Sequence, residues 1–278
     1  MLRASAEHLR PTSLELGGKV STEAIPPLCD SRADLSEILW LQSPVVVFDD
    51  AREIMPALLD WVMCGIFITT GQICSATSRL IVQDTLHDEL LTQLKLGAAD
   101  LVVGDPMAPT TQMGPLVSLP QMKKVVAAVD QARAEGATVL APPVNVATEL
   151  EGGYYVPPTI IADVKLDSDA WVEEIFGPVL CVAKFSTEEE AVALANATDY
   201  GLAAAVFSTD TNRCASVASK LEAGVVWQNC SQVSLATHPL GTIYDVSGAW
   251  WCDVAGAVRF DAIRRTAGQE ERLRPRDG

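Results

Sequence analysis

The chain has 278 residues, 49% hydrophobic, 20% charged and 6% aromatic, which provides for a sizeable core and excludes a disordered chain. Its formal net charge of −16 argues against nucleic acid or an anionic membrane surface as a partner. It has no run of about 18 apolar residues to span a bilayer and no apolar stretch of signal-peptide length at its start. The chain is therefore read as a protein of the cytoplasm or an organellar matrix, not a secreted one.

Residues 1–14 read as a helix end running into a strand. Gly17 and Gly18 are adjacent and mark a tight turn or a close backbone approach. Residues 20–42 show no clear period and read as a loop with a marginal helical turn. Residues 43–50, S-P-V-V-V-F-D-D, form a short β-branched run closed by two acids, and predict a buried strand. Residues 51–68 predict a helix with Pro56 as a kink or a late start, since Ile54, Leu58, Trp61 and Val62 recur at helical spacing.

The stretch 67–80, F-I-T-T-G-Q-I-C-S-A-T-S-R-L, follows. Thr69, Thr70, Gly71 and Gln72 break the helix, and a strand is predicted to begin at Arg79. Cys74 lies between the two. A thiol at such a corner is held by rigid elements yet open to a ligand, as a nucleophile requires.

Beyond it, strand and helix alternate. Strands are predicted at 79–83, 138–140, 179–185, 203–207 and 224–229, and helices at 87–101, 118–135, 187–197 and 211–221. Residues 153–164, with two adjacent prolines, read as extended. Strands alternating with amphipathic helices imply an α/β fold with a doubly wound parallel sheet. From Val233 the pattern loosens, and a poorly packed tail is expected over 233–278.

The chain carries seven cysteines, an odd count, at wide spacings and without a C-x-x-C pair, and three histidines without ligand spacing. No metal site and no disulfide framework is expected. A G-x-G-x-x-G or G-x-x-x-x-G-K-[ST] phosphate cradle is also absent.

Six motifs in order resemble the aldehyde dehydrogenase family. They are L-E-L-G-G-K at 14–19, G-Q-I-C-S-A-T-S-R-L at 71–80, Q-M-G-P-L-V-S at 112–118, E-E-I-F-G-P-V at 173–179, Y-G-L-A-A-A-V-F-S at 200–208 and A-G-V-V-W-Q-N-C-S-Q at 223–232. Their wording is most similar to the plant betaine-aldehyde and aminoaldehyde dehydrogenases. The resemblance implies an NAD- or NADP-dependent oxidation of a small-molecule aldehyde to the acid. Cys74 would attack the aldehyde carbon, giving a thiohemiacetal and then a thioester, and Glu15 would activate the water that releases the acid. Glu174 would hold the nicotinamide ribose, Phe176 would border the nicotinamide, and Gly17 would belong to the cofactor-side turn. A thiol of ordinary pKa, about 8.5, is only a few per cent thiolate at neutral pH, so a neighbouring base has work to do.

The resemblance also divides the chain. Residues 1–74 correspond to part of a cofactor-binding domain carrying an insertion at 20–42, and 75–232 to the catalytic domain. Residues 233–278 are a divergent tail that replaces the family's P-x-G-G-x-K segment. Thr70 stands where the family usually has asparagine. The family's members are homo-oligomers and are longer, with much of their dinucleotide-binding domain ahead of the first motif. The alternative expectation is therefore an inactive chain that at most associates with full-length subunits.

Overall fold

The structure is a computed structural model that describes residues 43–143, 152–198, 200–233, 249–252 and 258–261, the last two segments as backbone. Glu15, Gly17 and the insertion at 20–42 lie outside the described residues.

Seven strands form one sheet in the order β3-β4-β5-β2-β1-β6-β7. Strand β1, Pro44–Val47, runs through the centre, parallel to β2, Arg79–Gln83, on one side and to β6, Ala203–Phe207, on the other. The remaining parallel strands are β4, Thr159–Ala162, β5, Val179–Phe185, and β7, Val225–Gln228. Only the edge strand β3, Thr138–Leu140, is antiparallel, to β4. The valine-rich β1 is buried along its whole length. That is the expected pattern for a parallel strand covered on both faces.

Alternate side chains feed two cores. Val45, Val47, Leu80 and Val82 point to one, with Leu58, Val62 and Ile66 of α1, Met55–Phe67, and Leu90 and Leu94 of α2, Asp84–Asp100. Val46 and Ile81 point to the other. It is covered by α3, Leu119–Ala134, the single turn α4, Asp169–Val172, α5, Glu188–Ala195, and α6, Thr211–Ala218. Helices on both faces of a mostly parallel sheet make the fold doubly wound.

Local chemistry sets the helix boundaries. Pro56 lies in the first turn of α1, where a missing N–H costs nothing, after a 3-10 segment at Asp49–Ile54. Ser118, Thr187 and Asp210 cap α3, α5 and α6 through side-chain oxygens that accept backbone N–H bonds. In the tail, β8, Ala249–Cys252, pairs antiparallel with β9, Val258–Asp261, as a separate two-stranded sheet. Regular strand pairing thus occurs where the sequence suggested none. No helix among the described residues is long and apolar enough to cross a membrane.

Candidate active site

Helix α1 ends at Phe67 and the chain turns back sharply towards β2. The Thr70 N–H donates to the Phe67 carbonyl at 2.9 Å, and that of Gln72 to Thr69 at 3.0 Å. Thr70 and Gly71 both adopt positive φ, +56° and +65°. The Ala76 N–H then closes on the Ile73 carbonyl at 2.9 Å, and that of Thr77 returns to Gly65 of α1 at 3.1 Å. Cys74 sits inside this clamped turn, half-buried.

A second loop meets the first. It runs from Glu173 to Pro178 and leads into β5, next to β2. Gly71 lies so close to Gly177 that a β-carbon on Gly71 would stand 1.8 Å from the Gly177 carbonyl oxygen. Beneath Gly177, a β-carbon would come within 2.4 Å of Val125 Cγ2 on α3. Two glycines therefore let the cysteine turn meet the E-I-F-G-P loop backbone to backbone and let Val125 of α3 pack directly on that loop.

Helix α3 also fixes the polar groups of that loop. Gln121 Nε2 donates to the carbonyls of Ile175 and Phe176, at 3.0 and 2.8 Å, and Lys124 Nζ to that of Glu174, at 2.5 Å, so three successive carbonyls are held. Within this loop Phe176 has a positive φ of +56°. Gln72 Oε1 accepts from the Val117 N–H at 2.9 Å and ties the cysteine turn to the segment leading into α3.

On its other side the turn is held by the segment after β7. Ser75 Oγ donates to Gln232 Oε1 and Gln232 Nε2 donates back to the Ser75 carbonyl, both at 2.6 Å. Ser231 Oγ donates to the Trp61 carbonyl of α1 at 3.0 Å. Asn229 closes the end of β7 onto β6. Its amide donates to the Ser208 carbonyl and accepts from the Ser208 N–H. Cys230 beside it is buried.

The titrating groups follow from burial. Desolvation pushes the Glu174 carboxyl up to about 7, with Lys124 opposing. Burial raises the Cys181 and Cys214 thiols to about 12, so both remain protonated and packed in the core. None of the cysteines at 64, 74, 181, 214 and 230 is in a disulfide, and no metal-holding cluster occurs among the described residues.

Of the residues singled out by sequence, Cys74, Glu174 and Phe176 are thus carried on two loops that touch at Gly71 and Gly177. Residues 41–244 match the model of the aldehyde dehydrogenase family. The chain belongs to the aldehyde dehydrogenase family. It is 42% identical over 243 residues to "Aminoaldehyde dehydrogenase 1, peroxisomal" of Pisum sativum, covering 87% of this chain and 43% of the relative. It is 39% identical over 243 residues to "Betaine aldehyde dehydrogenase, chloroplastic" of Beta vulgaris, with the same coverage. Among solved structures, betaine aldehyde dehydrogenase from Staphylococcus aureus in complex with NAD+ superposes with a TM-score of 0.70 at 32% identity, covering 86% of this chain and 43% of that one. The chain thus spans less than half the length of the relatives it matches.

Four residues that hold the two loops of this candidate site went unread in the sequence: Gln121, Lys124, Ser75 and Gln232. The motifs contain Ser75 and Gln232, but their reciprocal bond spans a sequence separation of 157. Gln121 and Lys124 share a helix face at i,i+3, yet an amide and an amine at that spacing read as a solvated surface.

Proposed function

We propose that this chain oxidises a small aldehyde of the betaine-aldehyde or aminoaldehyde class to its carboxylic acid with NAD+ or NADP+. The observation that supports this most is the contact at Gly71 and Gly177 between the turn that carries Cys74 and the loop that carries Glu174 and Phe176. In this reading the Cys74 sulfur, as thiolate, adds to the aldehyde carbon and the carbonyl π-pair moves to oxygen, giving a thiohemiacetal. The oxidised nicotinamide, when bound, supplies the hydride acceptor that makes this an oxidation. Cys74 then carries the acyl group as a thioester. Glu15 is assigned, by family resemblance, to take a proton from the water that adds to that thioester, after which the C–S bond breaks and acid and thiol separate.

Glu174 and Phe176 would face the nicotinamide riboside. Desolvation with little compensating charge leaves the Glu174 carboxyl in need of donors, and the two hydroxyls of a ribose provide them. The compartment follows the relatives: an organellar matrix, as in the peroxisomal and chloroplastic enzymes.

The purified full chain incubated with NAD+ or NADP+ and betaine aldehyde or 4-aminobutyraldehyde should form the reduced cofactor, and Cys74→Ala should not. Reduced cofactor undetectable with both substrates and both cofactors overturns the reading. It leaves the alternative of an inactive chain that associates with longer subunits.

A further inference from the structure

The connection from Cys74 into β2 ends on a cation that the proposed chemistry does not use. Arg79, the first residue of β2, is fully buried. Its guanidinium carbon lies 5.7 Å from the centroid of the Trp171 ring and 5.8 Å from that of Tyr200. A flat, delocalised cation against aromatic faces is a favourable arrangement that a compact ammonium would not reproduce. Burial lowers Arg79 only to about 10, so it keeps its charge at neutral pH.

The two rings belong to different connections. Trp171 lies in α4, directly ahead of Glu173 and Glu174, and Tyr200 lies ahead of β6. The Tyr200 hydroxyl lies against the backbone of Glu174. Lys124 holds the carbonyl of the same residue. Burial and the nearby carboxyls of Glu173 and Glu174 push the phenol above its ordinary range, so it stays neutral.

We propose that Arg79, acting through the rings of Trp171 and Tyr200, is a positioning residue that fixes where the Glu174 carboxyl sits. The cysteine turn and the Glu174 loop are then coupled twice, at the Gly71–Gly177 contact and through this buried cation. The proposal rests on the reading of Glu174 as a cofactor-facing group.

The test uses the full chain with Tyr200→Phe and Arg79→Lys. Carboxyl-labelled glutamate gives the titration of Glu174 by NMR, its signal assigned by disappearance in Glu174→Gln. Hydrogen exchange reports its amide. Lys124 is the charge that acts on the Glu174 carboxyl, which in turn acts with Glu173 on the Tyr200 phenol, where Arg79 opposes them. In both variants the Glu174 midpoint should move by at least about 0.5 pH unit, and its amide should exchange roughly tenfold faster, with the other glutamate signals unmoved. A folded, cooperatively unfolding Tyr200→Phe protein that keeps both Glu174 values overturns the proposal. If Arg79→Lys does not fold, Trp171→Phe replaces it under the same criteria. Neither readout needs the cofactor. A shifted Glu174 in a chain without turnover therefore refutes the functional reading alone, and an unshifted Glu174 in an active chain refutes the positioning role alone.

Discussion

Gly71 and Gly177 meet backbone to backbone, the first at a positive φ of +65° and with no room for a β-carbon against the carbonyl of the second. Gly71→Ala therefore combines conformational strain with a clash against an atom that cannot rotate away. It should cost about 3 kcal/mol in urea unfolding. Gly177→Ala meets the Val125 side chain instead. Its loss should be partly recovered in the double variant with Val125→Ala, whereas Gly71→Ala should gain nothing from that second change. Additive behaviour of Gly177→Ala and Val125→Ala would contradict the stacking.

Thr70 is buried at φ +56°, a conformation that a β-branched side chain tolerates poorly and asparagine tolerates well. Thr70→Asn forfeits only a long 3.4 Å bond to the Gly114 carbonyl. It should raise the unfolding midpoint, by about 0.5–1 kcal/mol of stability. An unchanged or lower midpoint would show that the turn carries no strain.

Glu174 titrates near 7 in the folded chain against an ordinary value of 4.5. Between those two pH values the folded state holds a proton that the unfolded state has lost. Stability from this group is therefore full below about 4.5 and is lost as pH rises through about 7. Glu174→Gln removes the dependence. Thermal midpoints of variant and parent measured from pH 4.5 to 8 should diverge with rising pH, the variant being the more stable at the upper end; parallel curves would rule this out.

Gln232 grips Ser75, the residue next to the thiol, with two 2.6 Å hydrogen bonds. Gln232→Ala leaves the hydroxyl and the carbonyl of Ser75 without that partner and should cost about 1–2 kcal/mol. Alkylation of Cys74 by iodoacetamide should change in rate as its turn loosens. Gln232→Glu keeps the acceptor for the hydroxyl but not the donor for the carbonyl, and should fall between the two. Equal rates in all three proteins would remove Gln232 from the site.

Strands β5 and β6 coincide with their sequence readings, 179–185 and 203–207, because short apolar β-branched or alanine-rich runs between turn signals leave little ambiguity. Helix α2 begins at Asp84, ahead of the predicted 87, since an acid in the first turn complements the helix dipole without contributing to apolar periodicity. The single turn α4 went unread because four residues show no period; the burial of Trp171 identifies it only in three dimensions.

What the sequence determined by itself was the family, the doubly wound sheet and the candidate residues Cys74, Glu174 and Phe176, all carried by contiguous motifs. The tertiary structure decided how they are held: the two glycines in contact, the three carbonyls gripped by Gln121 and Lys124, the Ser75–Gln232 pair and the buried Arg79. The physical reason is the range of the interactions. Helix and strand preference act over a few residues, whereas a hydrogen bond to a loop carbonyl or a backbone-to-backbone approach depends on which segments the sheet order brings together.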